Sequence, residues 1–103
     1  MSNWAIQLHP EAVAEAKAAC EWYRERSPAA ANAFIGELDY AIEKISESPR
    51  RWTIYVLGTR RFLLRRFPYV VVYRVVDELI EIVAIAHGRR KPGYWKTRTK
   101  EPI

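Results

Sequence analysis

The strongest constraint on this chain lies between residues 60 and 86, where three stretches of strand-forming residues follow one another with only two short interruptions. Residues 60–67 read Arg-Arg-Phe-Leu-Leu-Arg-Arg-Phe, residues 69–76 Tyr-Val-Val-Val-Tyr-Arg-Val-Val, and residues 79–86 Leu-Ile-Glu-Ile-Val-Ala-Ile-Ala. β-Branched and aromatic side chains suit a pleated, half-buried surface. Pro68 and Asp77-Glu78 are joints too short for a crossover, so neighbouring strands are predicted to be hairpin partners in an antiparallel meander. Such a sheet has to bury at least one face against another layer, and the residues that precede it supply that layer.

Residues 3–8 alternate, with Trp4, Ile6 and Leu8 on one side, as a half-buried strand does. His9-Pro10-Glu11 then starts a helix: proline at a first helical position loses no needed hydrogen bond, and an acid beside it suits the positive end of the helix dipole. From Pro10 to about Arg26, Val13, Ala16, Cys20 and Tyr23 recur at helical spacing, with Trp22 beside that stripe. Ser27-Pro28 repeats the start signal. A second helix is expected from about Pro28 to Ser46, with Phe34, Leu38, Ala41 and Ile45 on one face and Ala31, Ile35 and Ile42 on a second strip. Tyr23, Tyr40 and Trp22 are read as core. The short joint makes the two helices a hairpin, and Ser48-Pro49 ends the second, because the residue before a proline is pushed out of helical geometry. Residues 49–59, with Trp52, Tyr55 and Leu57 and ending in Gly58-Thr59, are read as a partly tethered loop.

The predicted fold class is therefore α+β: a two-layer β-α-α-β-β-β domain with a helical hairpin packed on a small antiparallel-meander sheet. In the middle strand Tyr69, Val71, Tyr73 and Val75 share one face, while Val70, Val72, Arg74 and Val76 share the other, which is expected to be open. An open apolar-and-basic face is either a partner site or an aggregation hazard. At 103 residues one core is all the chain can build, so it is read as a single domain over 1–103 with a basic C-terminal segment, 88–103. No stretch approaches the ~18 apolar residues of a membrane span. The start MSNWAIQLHP lacks a basic region followed by an apolar one. The expectation is a cytoplasmic protein with no membrane role. Cys20 is the only cysteine, which fits a reducing compartment and rules out an internal disulfide.

Charge is divided along the chain. Residues 1–48 hold Lys17, Arg24, Arg26 and Lys44 against eight acids, a balance of −4, whereas residues 49–103 hold thirteen cations against Asp77, Glu78, Glu81 and Glu101, a balance of +9. A positive field this concentrated favours an anionic partner, whether nucleic acid or an acidic protein segment. Arg89, Arg90, Lys91, Lys96, Arg98 and Lys100 are interleaved with Tyr94 and Trp95, and aromatics beside cations serve both binding hot spots and base-stacking platforms. Trp95 folding back onto the sheet is the plain alternative. Arg60-Arg61 and Arg65-Arg66 alternate in direction along their strand, so they cannot all serve one site; some are expected to pair with Glu81 or with the acidic helices.

Arg66-Phe67-Pro68-Tyr69-Val70-Val71-Val72-Tyr73-Arg74-Val75, followed by Ile85-Ala86-His87-Gly88-Arg89-Arg90-Lys91-Pro92-Gly93-Tyr94-Trp95, resembles the RelE/ParE superfamily of type II toxin–antitoxin toxins. The Pro-Glu-Ala helix start at Pro10 and the element order agree, so the resemblance covers roughly residues 4–95. It implies a growth-arresting toxin silenced by a cognate antitoxin, acting either by inhibiting DNA gyrase or by cleaving messenger RNA on the ribosome. Metal-free RNA cleavage needs a base, an acid and cations on the scissile phosphate. Of the nuclease branch's residues this chain keeps Arg61 and Arg90. Leu63 occupies the second basic position of that strand, Val70 stands where an arginine should follow Tyr69, and Tyr94 is about two residues nearer the strand than its counterpart. Valine neither donates a hydrogen bond nor carries charge, which favours the ParE-like branch, an activity without chemistry of its own.

Under the nuclease alternative Arg61, His87, Arg90 and Tyr94 would be catalytic; histidine is the side chain best suited to act as a base near neutral pH, or His87 is simply a strand-end hydrogen-bonder. Under the binding reading the surface for target and antitoxin is Arg61, Arg65, Arg74, Arg89, Arg90, Lys91, Tyr94, Trp95, Lys96 and Arg98. The antitoxin is expected to lay an acidic C-terminal segment across the open face, and charge reversal at Arg89 and Arg90 to weaken that complex. No metal and no organic cofactor is called for, since neither clustered ligands nor a Gly-rich phosphate loop is present.

Overall fold

The computed structural model describes residues 4–99. The order is β1 (Ala5–Leu8), α1 (Pro10–Arg26), α2 (Pro28–Glu47), β2 (Thr53–Ile54), β3 (Arg60–Leu63), β4 (Tyr69–Val76) and β5 (Leu79–His87), with single 3-10 turns at Val56–Gly58 and Lys96–Thr99. Local chemistry sets the helical hairpin. His9 caps α1, its Nδ1 accepting from the Glu11 N–H at 3.0 Å. Ser27 serves both helices: its N–H donates to the Tyr23 carbonyl at 2.8 Å, and its Oγ accepts from the Ala30 N–H at 3.2 Å. Pro10 and Pro28 each stand at a helix start, where the missing N–H is no loss.

The sheet has five strands in the order β1-β5-β4-β3-β2. β3, β4 and β5 form the expected antiparallel meander, and β1 adds to β5 in parallel, with Leu8 against Ile82 as the last pair. The sheet is thus mixed: the connection from β1 to its parallel neighbour β5 runs through the α1–α2 hairpin and the other three strands, ample for the long connection that a parallel pair requires. Residues 49–59 are more ordered than a tethered loop: Thr53 and Ile54 pair with Arg61 and Arg60 as a fifth strand, and Arg60 Nη1 donates to the Trp52 carbonyl at 2.8 Å. β3 stops at Leu63, short of the expected 67, because the N–H groups of Arg65 and Arg66 turn to the Glu37 carboxylate on α2 instead of the ladder.

Ala12, Ala19, Phe34, Ala41 and Ile45 of the helices meet Val71, Tyr73, Ile80, Ile82 and Ile85 of the sheet in the main core. Tyr69, Val71, Tyr73 and Val75 face it, as their alternation requires. The helix stripes are rotated from the simplest reading. Val13, Trp22 and Tyr40 are 48%, 50% and 45% exposed, and Ile35 is exposed as well. Alanines at 12 and 19 sit at the centre of the α1 contact because a small side chain lets the helix approach β5 closely. Trp22 stays outside and stacks under Arg26, 3.5 Å from its ring.

The second face of the sheet is not open. Val72, Val83, Ala84 and Ala86 lie beneath Trp95, which is 1% exposed, with Tyr55, Val70 and Tyr94 at the margin. Two features produce this second core. The β4–β5 register shifts at Val72/Tyr73, so Val83 and Ala84 both belong to the second face, an effect of a bulge's extra residue. Gly93, at φ 90°, lets the chain after β5 turn back over the sheet.

Candidate functional site

The segment that follows β5 holds most of the candidate residues, and Glu15 of α1 organises them. At Leu8 the chain leaves the sheet for α1, so β5 runs on from Val83 with an unpaired edge. Side chains close that edge. Glu15 Oε1 accepts from the Ile85 N–H at 2.9 Å, and Arg98 Nη1 donates to the Val83 carbonyl at 3.1 Å. Arg98 also grips Glu15 with both Nη atoms at 3.0 Å each, and the Tyr94 hydroxyl donates to Glu15 Oε2 at 2.6 Å. Arg90 stands 3.9 Å from the same carboxylate, with its guanidinium over the Tyr94 ring, 3.6 Å from the centroid. One carboxylate, 16% exposed, therefore receives two arginines, a phenol and a backbone N–H.

The electrostatics of the cluster follow. Burial, reinforced by the Glu15 carboxylate, pushes the Tyr94 hydroxyl well above its ordinary range against the pull of Arg90 and Arg98, so it stays a proton donor. Burial works to lower Arg98, and the bond and charge of Glu15 overcome this to raise it. The expectation of a free cationic tail is corrected here: Trp95 is buried against the sheet, and Arg98 is inward-facing and paired with Glu15, because a buried guanidinium needs a carboxylate and this edge has one.

The remaining candidates divide by environment. Arg74 donates from Nε to Glu81, its cross-strand partner, at 2.6 Å and from Nη1 to the Thr99 carbonyl at 3.1 Å. Arg61 lies on the second face opposite Val72, its guanidinium 4.7 Å from the Tyr55 ring, which stacks on Trp95 at 5.6 Å. Arg65 is held by its backbone alone and its side chain is exposed. Arg66 pairs with Glu37 at 2.6 Å, the helix partner expected for one of the paired arginines. Arg89, Lys91 and Lys96 are exposed with no carboxylate within 4.0 Å among the described residues. Lys100 lies outside the described residues.

His87 accepts the Arg89 N–H on Nδ1 at 3.1 Å and meets the Tyr69 ring edge-on at 5.1 Å. With Arg90 it lines a cleft of about 520 Å³ between α1 and the free edge of β5, floored by Ala18, Ala19, Tyr69 and Ile85 and flanked by the exposed Trp22. The structure thus gathers His87, Arg90 and Tyr94 near Glu15 but leaves Arg61 beyond the Trp95–Tyr55 stack. Glu15 and Tyr55 escaped the sequence reading. Glu15 had a signal, an acid three residues after Ala12 and four before Ala19 on an otherwise small-residue stripe; such a charge must find partners. Tyr55 had none, since its place depends on the segment after β5. No helix of the described residues is long and apolar enough to cross a membrane, and they contain no cluster of three metal-ligating side chains.

Comparison with known proteins agrees with this architecture. Toxin ParE2 of Mycobacterium tuberculosis, in strains CDC 1551 / Oshkosh and H37Rv, is 34% identical over 56 residues, 54% of this chain and 53% of the relative. The chain spans about half the length of the curated relatives it matches. A chain from the chromosomal ParDE TA system of P. aeruginosa shares the fold, with a TM-score of 0.72 at 19% identity over 82% of this chain and 95% of that one. Residues 6–92, spanning β1 through the turn after β5, match the family model of the ParE toxin of the type II toxin-antitoxin system, parDE, and the chain therefore belongs to the ParE toxin family.

Proposed function

We propose that this chain arrests growth by binding a macromolecular target in the cytoplasm, DNA gyrase in the first place, and that a cognate antitoxin with an acidic C-terminal segment neutralises it. The observation that carries this reading is the split among the cations after β5. Arg98 and Arg90 are engaged with Glu15, while Arg89, Lys91 and Lys96 project outward from the same short segment. Exposed cations with no carboxylate partner among the described residues suit recognition of an anionic surface.

The arrangement is less suited to RNA cleavage. The Nδ1 lone pair of His87 is committed to the Arg89 N–H, which leaves Nε2 carrying the proton of the neutral ring. Tyr94 is tied to Glu15, and Arg61 stands apart from both. The ribosome-dependent messenger RNA cleavage reading draws on His87 and Arg90 lining one cleft.

The two readings separate in paired assays on one preparation. The binding reading expects gyrase supercoiling of relaxed DNA to be blocked, or breaks to be trapped, with intact cellular RNA. Cuts within codons seen by primer extension, with gyrase unaffected, would overturn it.

A further inference from the structure

The segment after β5 is fastened to the body unevenly. Gly88 N–H to the Pro68 carbonyl at 2.7 Å and Arg90 N–H to the His87 carbonyl at 3.0 Å tie its start to the end of the sheet, and beyond them the backbone bonds are internal: Tyr94 N–H to Lys91, Lys96 N–H to Gly93 and Arg98 N–H to Trp95, each to the carbonyl at 2.8–3.3 Å. None of the bonds beyond Arg90 reaches the sheet, so residues 91–99 keep their own hydrogen bonds whether or not they lie on it. What fixes it in place is side-chain chemistry at three points. Trp95 packs on Val72, Val83 and Ala84, Arg74 reaches the Thr99 carbonyl, and Tyr94, Arg98 and Arg90 converge on Glu15.

The third point dominates the polar part. Hydrogen bonds to an ionised group are stronger than neutral ones, and a buried guanidinium without a partner is strongly disfavoured. Removing the Glu15 charge takes the partner from Arg98 and Arg90 together. The sheet itself does not depend on the segment for its ladder, since β5 is paired with β4 from Leu79 to His87 apart from the bulge at Val83. Elements that open separately have few buried apolar contacts and share few backbone bonds with the core, and Trp95 is the one buried residue of 89–99.

We infer that residues 89–99 form a strap that opens and closes over the second sheet face as one unit, and that Glu15 is the positioning residue that holds it closed. Closed, the strap buries Trp95 and fixes the direction of Arg89, Lys91 and Lys96. Open, it bares Val72, Val83 and Ala84. A partner's carboxylate that takes Arg98 from Glu15 shifts the balance toward the open state, by no more than its preference for that state allows. The inference rests on the geometry of the segment and not on the identity of the target.

Amide hydrogen exchange on the purified chain tests it. In Glu15→Gln the Lys96 and Arg98 amides exchange about tenfold faster, the factor that about 1.4 kcal/mol produces, while amides of β4 change by less than about twofold, since their protection comes from the core. Tyr94→Phe, which removes one bond and keeps the charge, gives a smaller rise confined to the strap; it also serves if Glu15→Gln does not fold. Lys96→Gln leaves the pattern unchanged. Strap and β4 amides accelerating in parallel would show one cooperative unit and overturn the inference. So would strap exchange that neither the Glu15 nor the Tyr94 substitution alters.

Discussion

Glu37 fastens the β3–β4 connection to α2, and its neutralisation is the sharpest test of how that corner is held. Its Oε1 accepts the N–H groups of Arg65 and Arg66 at 2.9 and 3.2 Å, and Oε2 accepts Arg66 Nε at 2.6 Å. The carboxylate is 13% exposed, and the Arg66 side chain 69% exposed. Burial acts to raise the Glu37 pKa, but the Arg66 side chain and the two backbone donors outweigh it and hold the group below its ordinary value. Replacing Glu37 by Gln keeps an acceptor for the backbone and removes the charge. Charge-assisted bonds exceed neutral ones by about 1 kcal/mol each. The exposed Arg66 pair counts for little, so the two backbone bonds set an expected loss of about 1–2 kcal/mol at pH 7.

The pH dependence has a definite sign. A carboxylate with a depressed folded-state pKa contributes stability above its unfolded pKa, and that contribution is lost as pH falls through the folded value. Urea unfolding of the parent and Glu37→Gln should therefore show separate midpoints at neutral pH that converge in acid, below the ordinary glutamate range. A gap under about 0.5 kcal/mol at pH 7, within the range of ordinary surface substitutions, would refute the assignment. So would a gap that persists unchanged after acidification.

Two further outcomes follow from the packing and from the charge distribution. Tyr23 contacts the rings of Trp22, Phe34, Phe67 and Tyr69, so Tyr23→Ala is expected to lose about 2–4 kcal/mol, somewhat less than a fully buried aromatic, whereas the half-exposed Trp22→Ala loses under about 1 kcal/mol; comparable losses in chemical denaturation would show that the α1 face is misassigned. Reversing Arg89, Lys91 and Lys96 to Glu is expected to leave the unfolding midpoint within about 0.5 kcal/mol per site, while weakening gyrase inhibition and antitoxin binding at least about tenfold and flattening their salt dependence. Unchanged inhibition by a folded triple variant would remove these cations from the interface.

The order of elements was legible in the sequence because it depends on neighbours along the chain. His9-Pro10, Ser27-Pro28 and Ser48-Pro49 punctuate the helices, the short joints at Pro68 and Asp77-Glu78 force hairpins, and alternation in Tyr69–Val76 assigns the core-facing side. The imbalance of charge toward the C-terminal half was equally visible, and so was the family likeness carried by the residues after β5. The candidate site was legible only in part: Arg89, Lys91 and Lys96 are presented outward, as a cationic segment suggested, but Arg98 and Trp95 are not. What the tertiary structure alone decided is which of these side chains are spent inside the molecule. The bulge that turns Val83 and Ala84 to one face, the free edge of β5 past Leu8, and the meeting of Glu15 with Arg98 across 83 positions of sequence depend on groups brought together only by folding. Periodicity reports the face on which a residue lies. It carries no information about what will cover that face, because the cover comes from a distant part of the chain whose own pattern is set by other constraints.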